Sequence, residues 1–155
     1  MRDSLPRTNY CNQCMEITVT SSGGTQEHQP NRLGKYSVAG SLWENMVPFW
    51  MAENRQFITP DPNSNPILYY MKWEISESVG GLNAGRNLIF CSMVSLSSVC
   101  PVGVMNDAYT SGINCPYEIP DQWKYLFIAD WYVDPTLRFT CTKTRQQWEE
   151  EQSNL

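Results

Sequence analysis

The sequence predicts an all-β domain: an antiparallel β-sandwich or barrel-like sheet with disulfides and a short C-terminal helix or tail. Three observations predict it. Apolar residues alternate with polar ones at period two in almost every apolar segment, turn-forming clusters separate these segments, and six cysteines are spread across the chain. At 155 residues the chain suits one domain, because two independent cores would each fall near the lower limit of useful apolar burial.

Residues 1–13 read as a polar N-terminal flank. The β domain then runs over 14–142. Met15, Ile17 and Val19 oppose Glu16, Thr18 and Thr20, and Tyr36, Val38 and Leu42 oppose Lys35, Ser37 and Ser41. The segment Ile67, Tyr69, Met71, Trp73, Ile75 opposes Tyr70, Lys72, Glu74 and Ser76, while Leu137, Phe139 and Cys141 oppose Arg138, Thr140 and Thr142. Each pattern describes a half-buried strand. Less regular candidates, rich in β-branched or aromatic residues, are Met46 to Met51, Arg55 to Ile58, Asn87 to Val94 and Lys124 to Ala129. Turn clusters fall at Ser21 to Gly24, Pro60 to Pro66 and Val79 to Gly81, and Cys100 to Gln122 reads as a loop-rich stretch. Residues 143–155 form a polar C-terminal helix or tail in which Trp148 is the one large aromatic.

Composition narrows the function. Hydrophobic residues make up 41% and charged residues 17%, which is too apolar and too weakly charged for disorder. The net charge of −5, without clustered Lys or Arg, argues against nucleic acid as a partner. No apolar run approaches a membrane span, so membrane insertion is not expected. The opening MRDSLPRTNYCNQC contains no apolar stretch of the kind found in exporting segments.

Cys11, Cys14, Cys91, Cys100, Cys115 and Cys141 are even in number and widely spaced. Structural zinc wants two close pairs, and only Cys11 to Cys14 is one. A redox CxxC wants a following helix, whereas Met15 to Thr20 alternates as a strand. Disulfides are therefore expected for all six, and with them an oxidising compartment, secreted or ectodomain.

No catalytic constellation stands out, and the chain is expected to be neither an enzyme nor dependent on a cofactor or metal. His28, the single histidine, lies in a polar loop segment, Thr25 to Pro30, without a nucleophile signature. Asp61-x-Asn63-x-Asn65 opens like a calcium loop, but Pro66 takes the glycine position and Lys72 the place of the bidentate glutamate. Gly80 to Gly85 lacks the Lys-Ser/Thr ending of a phosphate loop. Glu44, Glu74 and Asp130 lie beside tryptophans as a remote glycoside-hydrolase pair, against the commoner reading of surface acids flanking strands. The excess of aromatic residues is more informative. Most fill a core, yet Trp50, Tyr70, Trp131 and Tyr132 lie where neighbouring positions alternate in facing, so some are expected at an interface, together with Tyr10 and Trp148 in the flanks.

In order, Cys14-x-x-Ile17-x-Val19, Leu33-Gly34-Lys35-Tyr36-x-x-x-Gly40, Pro48-Phe49-Trp50, Leu68-Tyr69-Tyr70, Trp73-x-Ile75, Cys115-Pro116, Trp123, Trp131-x-x-Asp134-x-x-Leu137 and Cys141 form a series. It resembles a cysteine-framed, tryptophan-rich module of invertebrate secreted and ectodomain proteins, whose role is generally unassigned. The additional cysteines and the long insertion from Cys91 to Cys115 depart from that pattern. The resemblance implies no catalytic residue. It implies that Cys14 pairs with Cys141, which end the first and last confident strands and frame the module. The expected function is a non-enzymatic extracellular interaction or structural module, with a protein partner or copies of itself bound through the terminal flanks. Adhesion or glycan recognition by exposed aromatics is the alternative.

Overall fold

The computed structural model describes residues 11–42, 47–60, 70–71, 73–77, 102–106, 110–111, 115–119, 123–128 and 130–154. In chain order these form β1 (Cys14–Thr20), α1 (Gly24–His28), β2 (Gly34–Leu42), β3 (Val47–Met51), β4 (Phe57–Pro60), β5 (Tyr70–Met71) and β6 (Trp73–Ser76). They continue with β7 (Val102–Asn106), β8 (Thr110–Ser111), β9 (Trp123–Phe127), β10 (Asp130–Val133), β11 (Arg138–Thr144) and α2 (Arg145–Ser153), with single 3-10 turns at Pro30–Arg32 and Pro116–Glu118. Among the described residues one nine-stranded antiparallel sheet runs in the order β10-β9-β7-β6-β4-β3-β2-β1-β11, and β5 pairs with β8 apart from it.

That order dictates the shape. β10 and β11 lie at opposite ends of the sheet, yet only Asp134 to Leu137 separates them in sequence. A flat nine-stranded sheet would hold its edges about 38 Å apart, whereas the chain from Val133 to Arg138 reaches about 18 Å at most. The sheet must curl, and it is a half-barrel, the barrel-like form of the all-β expectation.

Residues opposite one another in a ladder share a face, so the register defines one row running Val38, Trp50, Ile58, Ile75, Val104, Tyr125 and Tyr132. Trp50, Ile58, Ile75 and Val104 in this row are fully buried, as are Ile17, Tyr36 and Trp73. This is the inner face. Trp123 of β9 stacks on Phe139 of β11 with ring centroids 4.0 Å apart, so side chains from near both ends of the sheet meet across the interior. Each such buried side chain contributes roughly 1.5–3 kcal/mol.

Two disulfides tie the chain together. Cys14 is bonded to Cys141 across β1 and β11, in agreement with the pairing the resemblance implied, and Cys11 is bonded to Cys115. Cys91 and Cys100 lie outside the described residues. β11 extends to Thr144 opposite Cys14, and Cys11 is held by its disulfide to Cys115.

Several other expectations are corrected. β7 lies within the stretch read as loop: it is short and contains Gly103, but it pairs with β6 on one side and β9 on the other, and that pairing outweighs local turn signals. The polar segment expected to be a loop contains α1. Alternation fails in β6, where Glu74 and Ser76 are as buried as Trp73 and Ile75. The buried Arg32 guanidinium exerts its charge on Glu74 and donates to Gln56 Oε1 and, at 3.2 Å, to Gln29 Oε1. The candidate strand Asn87 to Val94 lies outside the described residues.

Candidate interaction surface

Trp50 was expected at an interface and is instead fully buried, its indole N–H donating to the Cys14 carbonyl at 3.0 Å. A central strand leaves a residue of this size on the inner face nowhere to go but the core. Tyr10 lies outside the described residues, and Tyr70 is described only by its backbone in β5. Trp148 is half-buried against its own domain, sharing a shallow pocket with Met15, Glu16, Val38 and Lys143. The helix that carries it is capped by Thr144 and anchored by Arg145, whose N–H and Nε donate to the Gln13 and Asn12 carbonyls. The acidic run of α2 stays exposed, with Glu149 pairing with Arg145 of the same helix at 3.8 Å and Glu151 with Lys143 of β11 at 2.9 Å.

Trp131 and Tyr132 have a different fate. They lie on β10, the end strand of the sheet, and form a hairpin with β9. The register pairs Phe127 with Asp130 and Tyr125 with Tyr132 on the inner face, and Leu126 with Trp131 and Lys124 with Val133 on the outer face. The hairpin therefore carries large apolar groups on both faces at an edge. Ile128 is 69% exposed, Val133 55% and Tyr132 45%; these are the exposed large hydrophobic residues among the described ones. Asp130 is exposed at the same tip.

The tip is also strained. Ile128 has φ +53°, a left-handed conformation that a β-branched side chain rarely adopts, that glycine takes freely and that asparagine tolerates better. The strand candidate Lys124 to Ala129 accordingly ends at Phe127, and Ile128 turns the chain.

α1 braces the inner face. His28 stacks on Phe127 with centroids 3.8 Å apart, Tyr125 and Tyr132 are 5.8 Å apart, and Gln29 donates to the Leu126 carbonyl at 2.7 Å. Gly24 is required here, because a Cβ on it would overlap the Tyr125 phenol. Asp134 holds α1 in place from the β10–β11 turn. Its Oδ2 accepts from the Thr25 N–H at 2.9 Å and the Ser21 hydroxyl at 2.8 Å, and its Oδ1 accepts from the Thr136 N–H and hydroxyl. Burial alone would raise the pKa of this carboxyl, but the hydrogen bonds together hold it well below the usual carboxylate range. Burial, reinforced by Asp134, Glu27 and Tyr132, pushes the Tyr125 phenol up and keeps it neutral.

The register also separates the two described acids of the hydrolase reading. Glu74 belongs to the row of Met105, Lys124 and Val133, whereas Asp130 shares the opposite face with Phe127, so the two carboxylates do not flank one bond. Glu44, Asp61 to Asn65 and Gly80 to Gly85 lie outside the described residues. Among the described residues no three His, Cys, Asp or Glu side chains gather as a metal site, and no helix is long and apolar enough to cross a membrane.

Sequence reasoning singled out Trp131 and Tyr132 but missed Ile128, Phe127 and Val133 beside them. The continuous aromatic and aliphatic run on both sides of Ile128 was the available signal. Compared with models of known families, with curated proteins and with solved structures, the chain matches none.

Proposed function

We propose that this chain is a non-enzymatic β module of the extracellular space that works by contact, with the β9–β10 hairpin as its contact surface. The observation that carries the reading is the exposed hairpin at the sheet edge, where Ile128 sits in a strained turn and Tyr132 and Val133 stand on opposite faces of the end strand β10. Strain and apolar exposure both act against stability, and they concentrate where contact function is gained. The two disulfides suit an oxidising compartment, which supports secretion or an ectodomain. The resemblance to cysteine-framed, tryptophan-rich ectodomain modules supports the same placement. The hairpin takes precedence over the C-terminal flank as the contact region, because α2 lays Trp148 against its own domain and pairs Glu151 with Lys143 of β11.

A panel of purified ectodomains and glycans, together with the chain itself, tests this. The Ile128→Ser/Tyr132→Ser/Val133→Ser variant is expected to lose tenfold or more in affinity for any partner found, about 1.4 kcal/mol, while Thr140→Ala on β11 keeps it. Unchanged binding by the triple variant would refute the assignment. So would glycan hydrolysis abolished by Asp130→Asn.

A further inference from the structure

We infer that the hairpin's inner face receives a cationic side chain, an arginine presented by a partner protein. The inference rests on the contact surface proposed above and names the chemistry of its partner. Three features of one face converge. Tyr132, 45% exposed, lies beside Tyr125 and Phe127 and offers a ring to the solvent. Asp130 stands opposite Phe127 on this face, exposed and with no ion pair among the described residues. Glu27 of α1, its side chain 74% exposed and its Oε1 3.4 Å from His28 Nε2, adds its charge to the field at Tyr125.

An aromatic face is negative at its centre, so an exposed ring with carboxylates nearby attracts a cation and repels an anion. Lys124, the basic residue of the hairpin, points to the opposite face with Val133 and does not neutralise the set. The net charge of −5 adds a long-range field of the same sign. Arginine fits better than lysine, because a planar guanidinium lies flat on the Tyr132 ring while its edge forks toward a carboxylate. A sugar would stack on the ring as well, but it has no charge for Asp130 and Glu27 to meet.

The test uses the full chain and two acetylated, amidated peptides, Gly-Arg-Gly-Arg-Gly and the same peptide with citrulline, which keeps the shape of arginine without its charge. Titration is followed by the ring resonances of Tyr132 and Phe127. The arginine peptide is expected to bind about fivefold or more tightly than the citrulline peptide at low salt, with the difference shrinking at high salt. Asp130→Asn and Tyr132→Leu are each expected to weaken it about threefold or more, whereas Glu150→Gln, an exposed acid on α2, leaves it unchanged. Equal binding of the two peptides, binding of neither, or equal effects of Asp130→Asn and Glu150→Gln would overturn the arginine assignment. A glycan or neutral partner that needs Tyr132 but ignores Asp130→Asn would also overturn it, while leaving the contact surface intact. A partner that ignores both residues would remove the surface itself.

Discussion

Replacing Ile128 with asparagine should stabilise the protein while weakening its contacts. The left-handed backbone at φ +53° costs an L-residue about 1–2 kcal/mol, and asparagine tolerates it because its short polar side chain bonds locally. Against this relief stands the lost burial. With 69% of Ile128 exposed, only about a third of the roughly 1.5–3 kcal/mol available to a fully buried isoleucine is at stake, about 0.5–1 kcal/mol. The balance favours asparagine by about 0.5–1 kcal/mol, or about 1–4 °C in melting temperature for a domain of this size. Thermal and urea denaturation with the disulfides intact measure it, and the variant should bind less tightly to any partner of the wild type. A loss of stability above about 1 kcal/mol would refute the reasoning, because it would mean that Ile128 is held by packing and not tolerated for contact.

Asp134→Ala should cost about 3–4 kcal/mol, since it removes four hydrogen bonds to a charged carboxylate and leaves the buried Thr25 N–H without a partner; urea denaturation at neutral pH checks this. Because the folded state holds the Asp134 pKa below its ordinary 3.8, its stabilisation is complete above about pH 4 and is lost as pH falls below that range. The gap between wild type and Asp134→Ala should therefore narrow only in acid. Cys11→Ser/Cys115→Ser and Cys14→Ser/Cys141→Ser should each lose up to about 5 kcal/mol and differ by under about 1 kcal/mol, because their sequence separations of 104 and 127 give nearly equal loop entropies; denaturation of both variants decides it. Gly24→Ala should cost about 1–3 kcal/mol by displacing Tyr125, with the shift visible in the Tyr125 and Tyr132 ring resonances.

The half-buried strands were legible in the sequence for a physical reason. β1 and the start of β11, with Leu137 just before it, put Ile17, Val19, Leu137 and Phe139 inside and Thr20, Arg138 and Thr140 outside, so period two writes their burial directly into the residues. β6 hides its role because Glu74 and Ser76 are buried as deeply as their apolar neighbours, and no local pattern separates a covered polar face from a solvated one. β7 is visible only through its partners, since a short segment that contains a glycine has little propensity of its own. The curl follows from topology, which joins end strands through a turn too short for a flat sheet, and strand order is a long-range property.

The contact surface was legible in kind but not in place. An excess of aromatic residues implied that some face outward, yet Trp50 and Trp131 look alike in sequence. A middle strand buries one, and an end strand leaves the other half-exposed. The role of Asp134 in holding α1 across 109 residues also waited on the three-dimensional arrangement. His28 is part of the brace beneath the surface, a use that its polar surroundings did not suggest.

The proposed contact surface is tested most directly by photo-crosslinking with a photoreactive phenylalanine at position 132, and at the exposed position 140 on β11 for comparison, in the native surroundings of the protein. The account predicts a discrete adduct from position 132 that unlabelled wild-type protein competes away, and none from position 140. Adducts from position 140 alone, or equal and uncompeted labelling from both, would contradict it.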